Sequence, residues 1–120
     1  MIITEDYIQQ EIVMWFTNNY CLKKHNPRAV IFSVPNGGKR DGREAKKLKN
    51  TGLLKGTADL VIDTGNKTVY CEVKTPTGSQ SPEQIEFQQW VESLGRDYIM
   101  PRSLEEFKQL IQPIIEKHNA

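Results

Sequence analysis

The sequence of 120 residues has few of the features that would assign it to several large classes of protein. Its two cysteines, Cys21 and Cys71, lie far apart and form no Cys-x-x-Cys pair, which excludes a disulfide framework and a thiolate metal site. No apolar run approaches the roughly 18–20 residues that a membrane span needs. The first residues also lack the basic region and cleavage site of a signal peptide. We therefore expect a cytoplasmic protein with no membrane partner.

The sequence also lacks the short motifs of several enzyme classes. None of its serines stands in a nucleophile-elbow context, and its glycines form no phosphate-cradling signature. His25 and His118 are single residues without partners at metal-ligand spacing, so we interpret both as surface residues. The length and the ordinary share of hydrophobic residues, 38%, fit one globular domain. Residues 1–120 are therefore predicted to form a single domain.

Basic residues are concentrated in one segment, although the net charge of the chain is only +1. Between Asn36 and Lys55 there are seven lysines and arginines against two acids, whereas the rest of the chain holds nine basic residues and thirteen acids. Such a segment suits phosphate binding, because each phosphate that is neutralised releases condensed counterions. A solvated lysine-rich helix gives the same composition and is, at this point, an equally good interpretation.

Periodicity and turn signals predict eight elements in the order α-β-α-β-β-α-β-α. The first helix follows Thr4 as its N-cap, and a later helix opens with Ser81 as its N-cap and Pro82 at its first position. The predicted strands are Arg28–Val34, Ala58–Asp63, Lys67–Lys74 and Asp97–Met100, and the other helices are Arg43–Thr51, ended by Gly52, and a closing helix capped by Ser103. This order predicts an α/β fold, a mixed β-sheet flanked by α-helices.

The most informative stretch is Glu72-Val73-Lys74 at the end of a predicted strand. Because side chains alternate across a strand, Glu72 and Lys74 share one face while Val73 points to the other. Asp59 opens the partner strand of the hairpin, after a Gly-x-x-Asp approach, so the two carboxylates are expected at the same end of the sheet. Neighbouring carboxylates favour a hard cation, Mg²⁺ or Mn²⁺, between them. A half-exposed strand with polar residues facing water is the alternative for Glu-x-Lys alone.

Glu5 is a candidate third carboxylate on the first helix. A helical wheel places it in the middle of the apolar stripe formed by Ile8, Ile12 and Phe16, so it should point at the sheet. A carboxylate on a buried face is costly unless it is paired or bound to a metal. A first-turn acid that complements the helix dipole is the other interpretation. Core packing is the expected role of Trp15 and Trp90.

Four motifs in this order resemble the VRR-NUC domain family of the PD-(D/E)xK nuclease superfamily. They are Pro35-Asn36-Gly37-Gly38, the segment from Leu53 to Leu60 that contains Gly56 and Asp59, Glu72-Val73-Lys74, and Ser81-Pro82-Glu83-Gln84 followed by Leu94-Gly95. The similarity runs from about Glu5 to Ile115. Many members have a proline just before the aspartate, where this chain has Ala58. The resemblance implies a restriction-endonuclease-like fold and a stand-alone protein of the phage or bacterial type.

The resemblance also implies roles for individual residues. Asp59 and Glu72 match the metal-binding pair, with the backbone carbonyl of Val73 as a further ligand, and Lys74 matches the catalytic lysine. The remaining catalytic candidates are Glu5, which matches the helix-one glutamate, and Gln84, which orients Lys74 or a phosphate. The residues expected to line the DNA approach are Asn36, Gly37, Gly38, Lys39, Arg40, Arg43, Lys46 and Lys47.

These roles imply Mg²⁺- or Mn²⁺-dependent hydrolysis of DNA phosphodiesters. The resemblance to stand-alone members of the family implies a homodimer that cuts branched DNA such as four-way (Holliday) junctions. A homodimeric endonuclease is therefore expected. A non-catalytic module that binds DNA structures, and a subunit of a larger DNA-repair or packaging complex, are the alternatives. RNA cleavage also stays open, because a site that reads phosphate does not itself exclude a 2′-hydroxyl.

Overall fold

The computed structural model describes residues 2–35 and 42–119, and within them it has the predicted order of elements. The helices are α1 (Glu5–Tyr20), α2 (Gly42–Asn50), α3 (Pro82–Ser93) and α4 (Leu104–Asn119). The strands are β1 (Val30–Ser33), β2 (Leu60–Asp63), β3 (Thr68–Cys71) and β4 (Asp97–Ile99). In the described ranges no helix is long and apolar enough to cross a membrane.

The four strands form one mixed sheet in the order β1-β2-β3-β4. β1 pairs with β2 and β2 with β3 in antiparallel fashion, whereas β3 and β4 are parallel. Leu60 at the start of β2 lies opposite Cys71 at the end of β3. Residues that precede Leu60 and residues that follow Cys71 therefore meet at one end of the sheet.

The two faces of the sheet are covered by different helices. One face packs against α1 and α4 and carries the main core. That core includes Ile12, Phe16, Phe107 and Ile111 from the helices, all fully buried. The other face packs against α3 in a smaller cluster, whose members are Ala58, Tyr70, Phe87, Val91 and Tyr98. The fold is thus a mixed α/β sheet flanked by helices, as predicted.

Helix starts and ends agree closely with the sequence signals. Thr4 caps α1 by accepting a hydrogen bond from the Tyr7 N–H, and Ser81 forms a complete capping box with Gln84 at the start of α3. Gly52 (φ +111°) ends α2 in a Schellman arrangement, in which the Leu53 N–H donates to the carbonyl of Leu48. These local signals were sufficient because each is satisfied within a few residues of chain.

Three structural expectations were wrong in detail. All four strands are shorter than predicted, and the chain from Glu72 to Lys74 follows β3 instead of belonging to it. The buried residues of α3 are Phe87 and Val91, whereas Trp90 is 54% exposed and is not a core residue. Apolar side chains lie on more than one side of α3, so periodicity alone did not identify the side that faces the sheet.

Candidate active site

Asp59 is delivered to the sheet by a sharp turn that packs tightly on α3. Gly56 has φ +88°, and a Cβ atom there would lie 2.6 Å from the backbone of Glu83 in the first turn of α3. Lys55 reinforces this approach with an ion pair to Glu83 at 3.4 Å. The carbonyl of Asp59 then accepts the N–H of Val34 at 2.9 Å, which continues the pairing of β1 with β2. Only glycine combines this φ with so close an approach to backbone.

Glu72 and Lys74 lie on an extended segment that continues alongside β4. The Glu72 N–H donates to the carbonyl of Ile99 at 2.9 Å, and the Lys74 N–H donates to that of Pro101 at 3.1 Å. Alternation is kept, because Val73 belongs to the main core while Glu72 and Lys74 point to the α3 side. Glu72 is 0% exposed and Lys74 only 6%. A half-exposed strand with polar residues facing water is therefore excluded.

A hydrogen bond joins the two acidic segments. The Asp59 carboxylate accepts the backbone N–H of Val73 through its Oδ2 atom, at 2.8 Å. Asp59 is thereby held against the residue between Glu72 and Lys74. The strand pairing predicted from the sequence does bring these three side chains together.

The two oxygens of the Glu72 carboxylate have different surroundings. Oε1 accepts a hydrogen bond from the Tyr98 hydroxyl at 2.9 Å. Oε2 lies 3.3 Å from the Lys74 ammonium as an ion pair but accepts no hydrogen bond from the described residues, although it is buried. The Lys74 charge offsets part of the cost of burying this oxygen, and a metal cation at that position would be a further partner for it.

The Lys74 ammonium is held by α3 as well as by Glu72. Its Nζ donates to Oε1 of Gln84 at 3.0 Å. The same Gln84 oxygen accepts the backbone N–H of Ser81 at 2.8 Å, which is one half of the α3 capping box. The start of α3 therefore fixes the position of the lysine. Gln84 contacts Lys74 as the resemblance implied.

Burial shifts the acid–base properties of both carboxylates in the same direction. Desolvation raises the pKa of Asp59, and the Val73 N–H and the Lys74 charge oppose this shift only in part. Desolvation likewise raises the pKa of Glu72, against the opposing effects of Tyr98 and Lys74. The negative charge of Asp59 also raises the pKa of Glu72, and that of Asp6 raises the pKa of Asp59. Each ionised form would be stabilised by a cation between them.

The chain itself supplies only some of the ligands that a divalent metal ion needs. In residues 2–35 and 42–119 no group of three or more histidine, cysteine, aspartate and glutamate side chains could hold a metal ion. Two acidic side chains, with the Glu72 oxygen left without a donor, match instead the two carboxylates that Mg²⁺ uses when water or phosphate oxygens complete its coordination. The residues present therefore fit a hard cation of this type.

The position of Glu5 differs from the expectation. Its side chain is exposed, although it stands three residues before the buried Ile8 and so on the same side of α1. The acid of α1 whose negative charge raises the pKa of Asp59 is Asp6. The helical wheel does not account for this exposure, because Glu5 stands in the first turn, before the first buried residue, Ile8. The N-terminal end of α1 nevertheless lies at the same end of the sheet as Asp59.

The basic candidates divide into two groups. Arg43, Lys46 and Lys47 are exposed on α2. Their side chains are therefore free of the core and face solvent. The other candidates, Asn36, Gly37, Gly38, Lys39 and Arg40, lie outside the described residues.

Two residues at the site carried no signal in the sequence. Tyr98 reaches Glu72 from β4, and Arg102 donates from Nη1 to the carbonyls of Thr75 and Gly78, at 2.7 and 2.6 Å, in the loop after Lys74. Both contacts depend on the parallel pairing of β3 with β4, which no local pattern specifies. The nearest clue in the sequence was a tyrosine on a predicted strand, from which its hydroxyl could reach an acidic residue on a neighbouring strand.

Comparison with known proteins supports the fold. No protein-family model matches the chain, and no curated protein matches it. A solved structure described as a "VRR_NUC domain protein" superposes on 97% of this chain and 91% of its own, with a TM-score of 0.77 at 22% sequence identity. The chain thus has the fold of a VRR-NUC domain, a mixed sheet flanked by helices of the restriction-endonuclease-like type.

Proposed function

We propose that this chain is a member of the VRR-NUC family and a divalent-metal-dependent nuclease that hydrolyses DNA phosphodiesters. One observation carries the proposal: a fully buried glutamate has one oxygen whose single partner in the described residues is the ion pair to the buried Lys74, and the half-buried carboxylate of Asp59 lies beside it. The similarity to the VRR_NUC structure supports a nuclease domain in particular.

Asp59 and Glu72 are the proposed metal-binding side chains, with the carbonyl of Val73 as a further ligand. Mg²⁺ or Mn²⁺ is the proposed ion, because both prefer oxygen ligands. When bound, such an ion lowers the pKa of a water molecule and neutralises charge on the phosphate. The Val73 N–H holds Asp59, so the chain itself keeps the two carboxylates together.

Lys74 is the proposed catalytic lysine. Its ammonium, held by Gln84, is directed to the same site as Glu72, where it stabilises negative charge that develops on the phosphate. Glu5 remains a proposed catalytic residue, a third carboxylate at the N-terminal end of α1, in spite of its exposure. The positive end of that helix dipole also favours a phosphate at this end of the sheet.

Double-stranded DNA of branched form, such as a four-way junction, is the proposed substrate. The exposed basic residues of α2 would contact its phosphates, together with the segment that precedes them. We propose a homodimer, because a two-fold pair of sites suits paired incisions on a two-fold junction. A bacterial host cytoplasm is the proposed location, in line with a phage or bacterial origin.

Cleavage assays on a panel of DNAs test this proposal. Purified protein is incubated with a four-way junction, a flap, and linear single- and double-stranded DNA, each with Mg²⁺, Mn²⁺ or EDTA. We expect metal-dependent cleavage with preference for the junction. Equal cleavage of all duplexes would contradict the preference for branched DNA. If the protein binds DNA but cuts none with either metal, it is a DNA-binding module and not a nuclease.

The homodimer is tested separately by light scattering coupled to size-exclusion chromatography. A mass of twice the chain's 13.8 kDa supports it. A monomer at the concentrations used in the cleavage assay would overturn it. Adding a model single-stranded RNA to the panel tests RNA cleavage in the same experiment.

A further inference from the structure

Four side chains form a continuous hydrogen-bond chain that leads to Glu72 from outside the site. Gln80 donates from Nε2 to Oε1 of Gln88 at 2.9 Å and to the hydroxyl oxygen of Tyr98 at 3.3 Å. The Tyr98 hydroxyl donates in turn to Oε1 of Glu72 at 2.9 Å. Gln88 lies on α3, Gln80 lies just before it, and Tyr98 lies on β4. The chain therefore links three parts of the fold to one carboxylate oxygen.

The direction of this chain follows from the donors and acceptors available. Gln88 presents a carbonyl oxygen to Gln80, which turns the amide nitrogen of Gln80 toward both neighbours. An amide nitrogen can only donate, so the Tyr98 oxygen accepts from Gln80. A tyrosine hydroxyl has one proton, and that proton is then directed at Glu72. Gln80 and Tyr98 therefore each donate in the direction of Glu72.

Tyr98 thus distinguishes the two oxygens of Glu72. Oε1 accepts the tyrosine hydroxyl, whereas Oε2 has only the ion pair with the Lys74 ammonium at 3.3 Å and no hydrogen bond from the described residues. The hydrogen bond from Tyr98 therefore restrains rotation of the Glu72 carboxylate. Partners of this kind, which orient a metal-binding side chain, affect metal affinity by roughly 10–100-fold in metalloproteins generally.

We propose that Tyr98, oriented by Gln80, is a positioning residue that fixes the Glu72 carboxylate so that Oε2 faces a divalent cation. This inference rests on the proposed function and adds to it a residue on β4 that neither the motifs nor the comparisons indicate. Tyr98 does not touch the substrate. It acts through Glu72 on the affinity for the metal.

Tyr70 provides a matched control for the test. It lies opposite Tyr98 in the β3–β4 register, and both rings contact Phe87, with ring centroids 5.3 and 6.4 Å away. Both tyrosines are partly buried on the same face of the sheet. Only the Tyr98 hydroxyl reaches Glu72. Replacing either tyrosine with phenylalanine removes one hydroxyl from the same cluster.

The experiment measures Mn²⁺ binding by the full chain directly, from the electron paramagnetic resonance signal of free Mn²⁺, and then the Mn²⁺ dependence of DNA cleavage. We expect Tyr98→Phe to weaken Mn²⁺ binding by about tenfold or more. The Mn²⁺ concentration for half-maximal cleavage should rise by the same factor, while the rate at saturating Mn²⁺ stays close to wild type. Tyr70→Phe should leave both quantities unchanged.

Gln80→Met is a second variant, which removes the donor to Tyr98 without touching Glu72. It should weaken Mn²⁺ binding in the same direction but less, and it carries the test if Tyr98→Phe does not fold. If Tyr98→Phe folds and binds Mn²⁺ as tightly as wild type, the inference is overturned while the nuclease proposal stands. If Tyr98→Phe does not fold, wild-type Mn²⁺ affinity in Gln80→Met overturns it in the same way. If the wild-type protein itself binds no Mn²⁺ and cuts no DNA, both proposals fail.

Discussion

The ammonium of Lys74 and the side-chain oxygen of Gln84 are 3.0 Å apart, and that oxygen also accepts the backbone N–H that begins α3. A single acceptor therefore serves both the helix cap and the proposed catalytic lysine. The Glu72 carboxylate lies on the other side of the same ammonium, at 3.3 Å. The start of α3 is thus part of the site and does more than pack against the sheet.

Gln84→Met should lower the rate of DNA cleavage by about 100-fold, because small displacements of a catalytic group have effects of that size. Removing the cap should also lower the free energy of unfolding by about 1 kcal/mol. Single-turnover cleavage and urea unfolding measure the two effects. DNA binding in EDTA should be unchanged.

Ser81→Ala is the control that separates these effects. It removes the hydroxyl that accepts the Gln84 N–H but leaves the side-chain oxygen of Gln84 on Lys74. A similar loss of stability with near wild-type cleavage is expected. If Ser81→Ala loses as much activity as Gln84→Met, the effect belongs to helix capping and not to Lys74.

Asp59→Asn should stabilise the metal-free protein at neutral and alkaline pH. Burial raises the pKa of Asp59, so between the unfolded and folded values the unfolded chain binds fewer protons and stability falls as pH rises. The contribution of Asp59 is fully present below its unfolded pKa and is lost as pH rises through its folded pKa. The amide has no such loss and can still accept the Val73 N–H.

Thermal unfolding in EDTA at pH 8 and at about pH 4, near the ordinary aspartate pKa, measures this difference. The melting temperature of Asp59→Asn should exceed that of wild type at pH 8, and the gap should narrow at the lower pH. Glu92→Gln, an exposed position on α3, controls for the loss of one charge. A less stable Asp59→Asn at pH 8 would mean that the aspartate charge is satisfied without a metal.

Gly56→Ala should disrupt both folding and activity. Its φ of +88° is strained for alanine, and the added Cβ would lie 2.6 Å from the backbone of Glu83. Gly95→Ala is a matched control with φ +80° and open space around the Cβ. Strain alone should cost each variant about 1 kcal/mol. Only Gly56→Ala should lose more stability than this and also lose DNA cleavage, because Asp59 follows three residues later. Equal losses of stability and cleavage in both variants would contradict this prediction.

Lys46→Gln combined with Lys47→Gln should weaken DNA binding without changing the metal requirement. Each phosphate contact removed should lower the slope of the logarithm of DNA affinity against the logarithm of salt concentration by about 1 in magnitude. Lys23→Gln with Lys24→Gln removes the same charge at exposed positions beyond the C-terminal end of α1. Fluorescence anisotropy at several salt concentrations compares the pairs. If the two double variants show the same salt dependence of DNA binding, the weaker binding comes from the lower net charge and not from loss of contacts with α2.

The sequence predicted those parts of the site that depend on local rules. Alternation along the chain placed Glu72 and Lys74 on one face, and the hairpin after Asp63 brought Asp59 to the same end. Capping signals identified the start of α3, which holds Gln84 beside Lys74. Each of these relationships is set by neighbours in the chain or by one antiparallel turn.

Contacts set by the parallel pairing of β3 with β4 were not predictable from the sequence. The register that places Tyr98 beside Tyr70 follows a crossover through α3, and nothing local specifies it. The burial of Glu72 was hidden for the same reason, since Tyr98 of β4 contacts its carboxylate. The exposed position of Glu5 depends on how far α1 extends past the sheet.

The metal dependence of DNA cleavage tests the central claim most directly. Protein freed of metal with EDTA is titrated with Mg²⁺ or Mn²⁺ in the presence of the preferred DNA, alongside Asp59→Asn, Glu72→Gln and the exposed control Glu92→Gln. We predict no cleavage without metal, restored cleavage by wild type and Glu92→Gln, and none by the two site variants. Cleavage in EDTA, or wild-type rates in both site variants, would show that this acidic pair is not the active site.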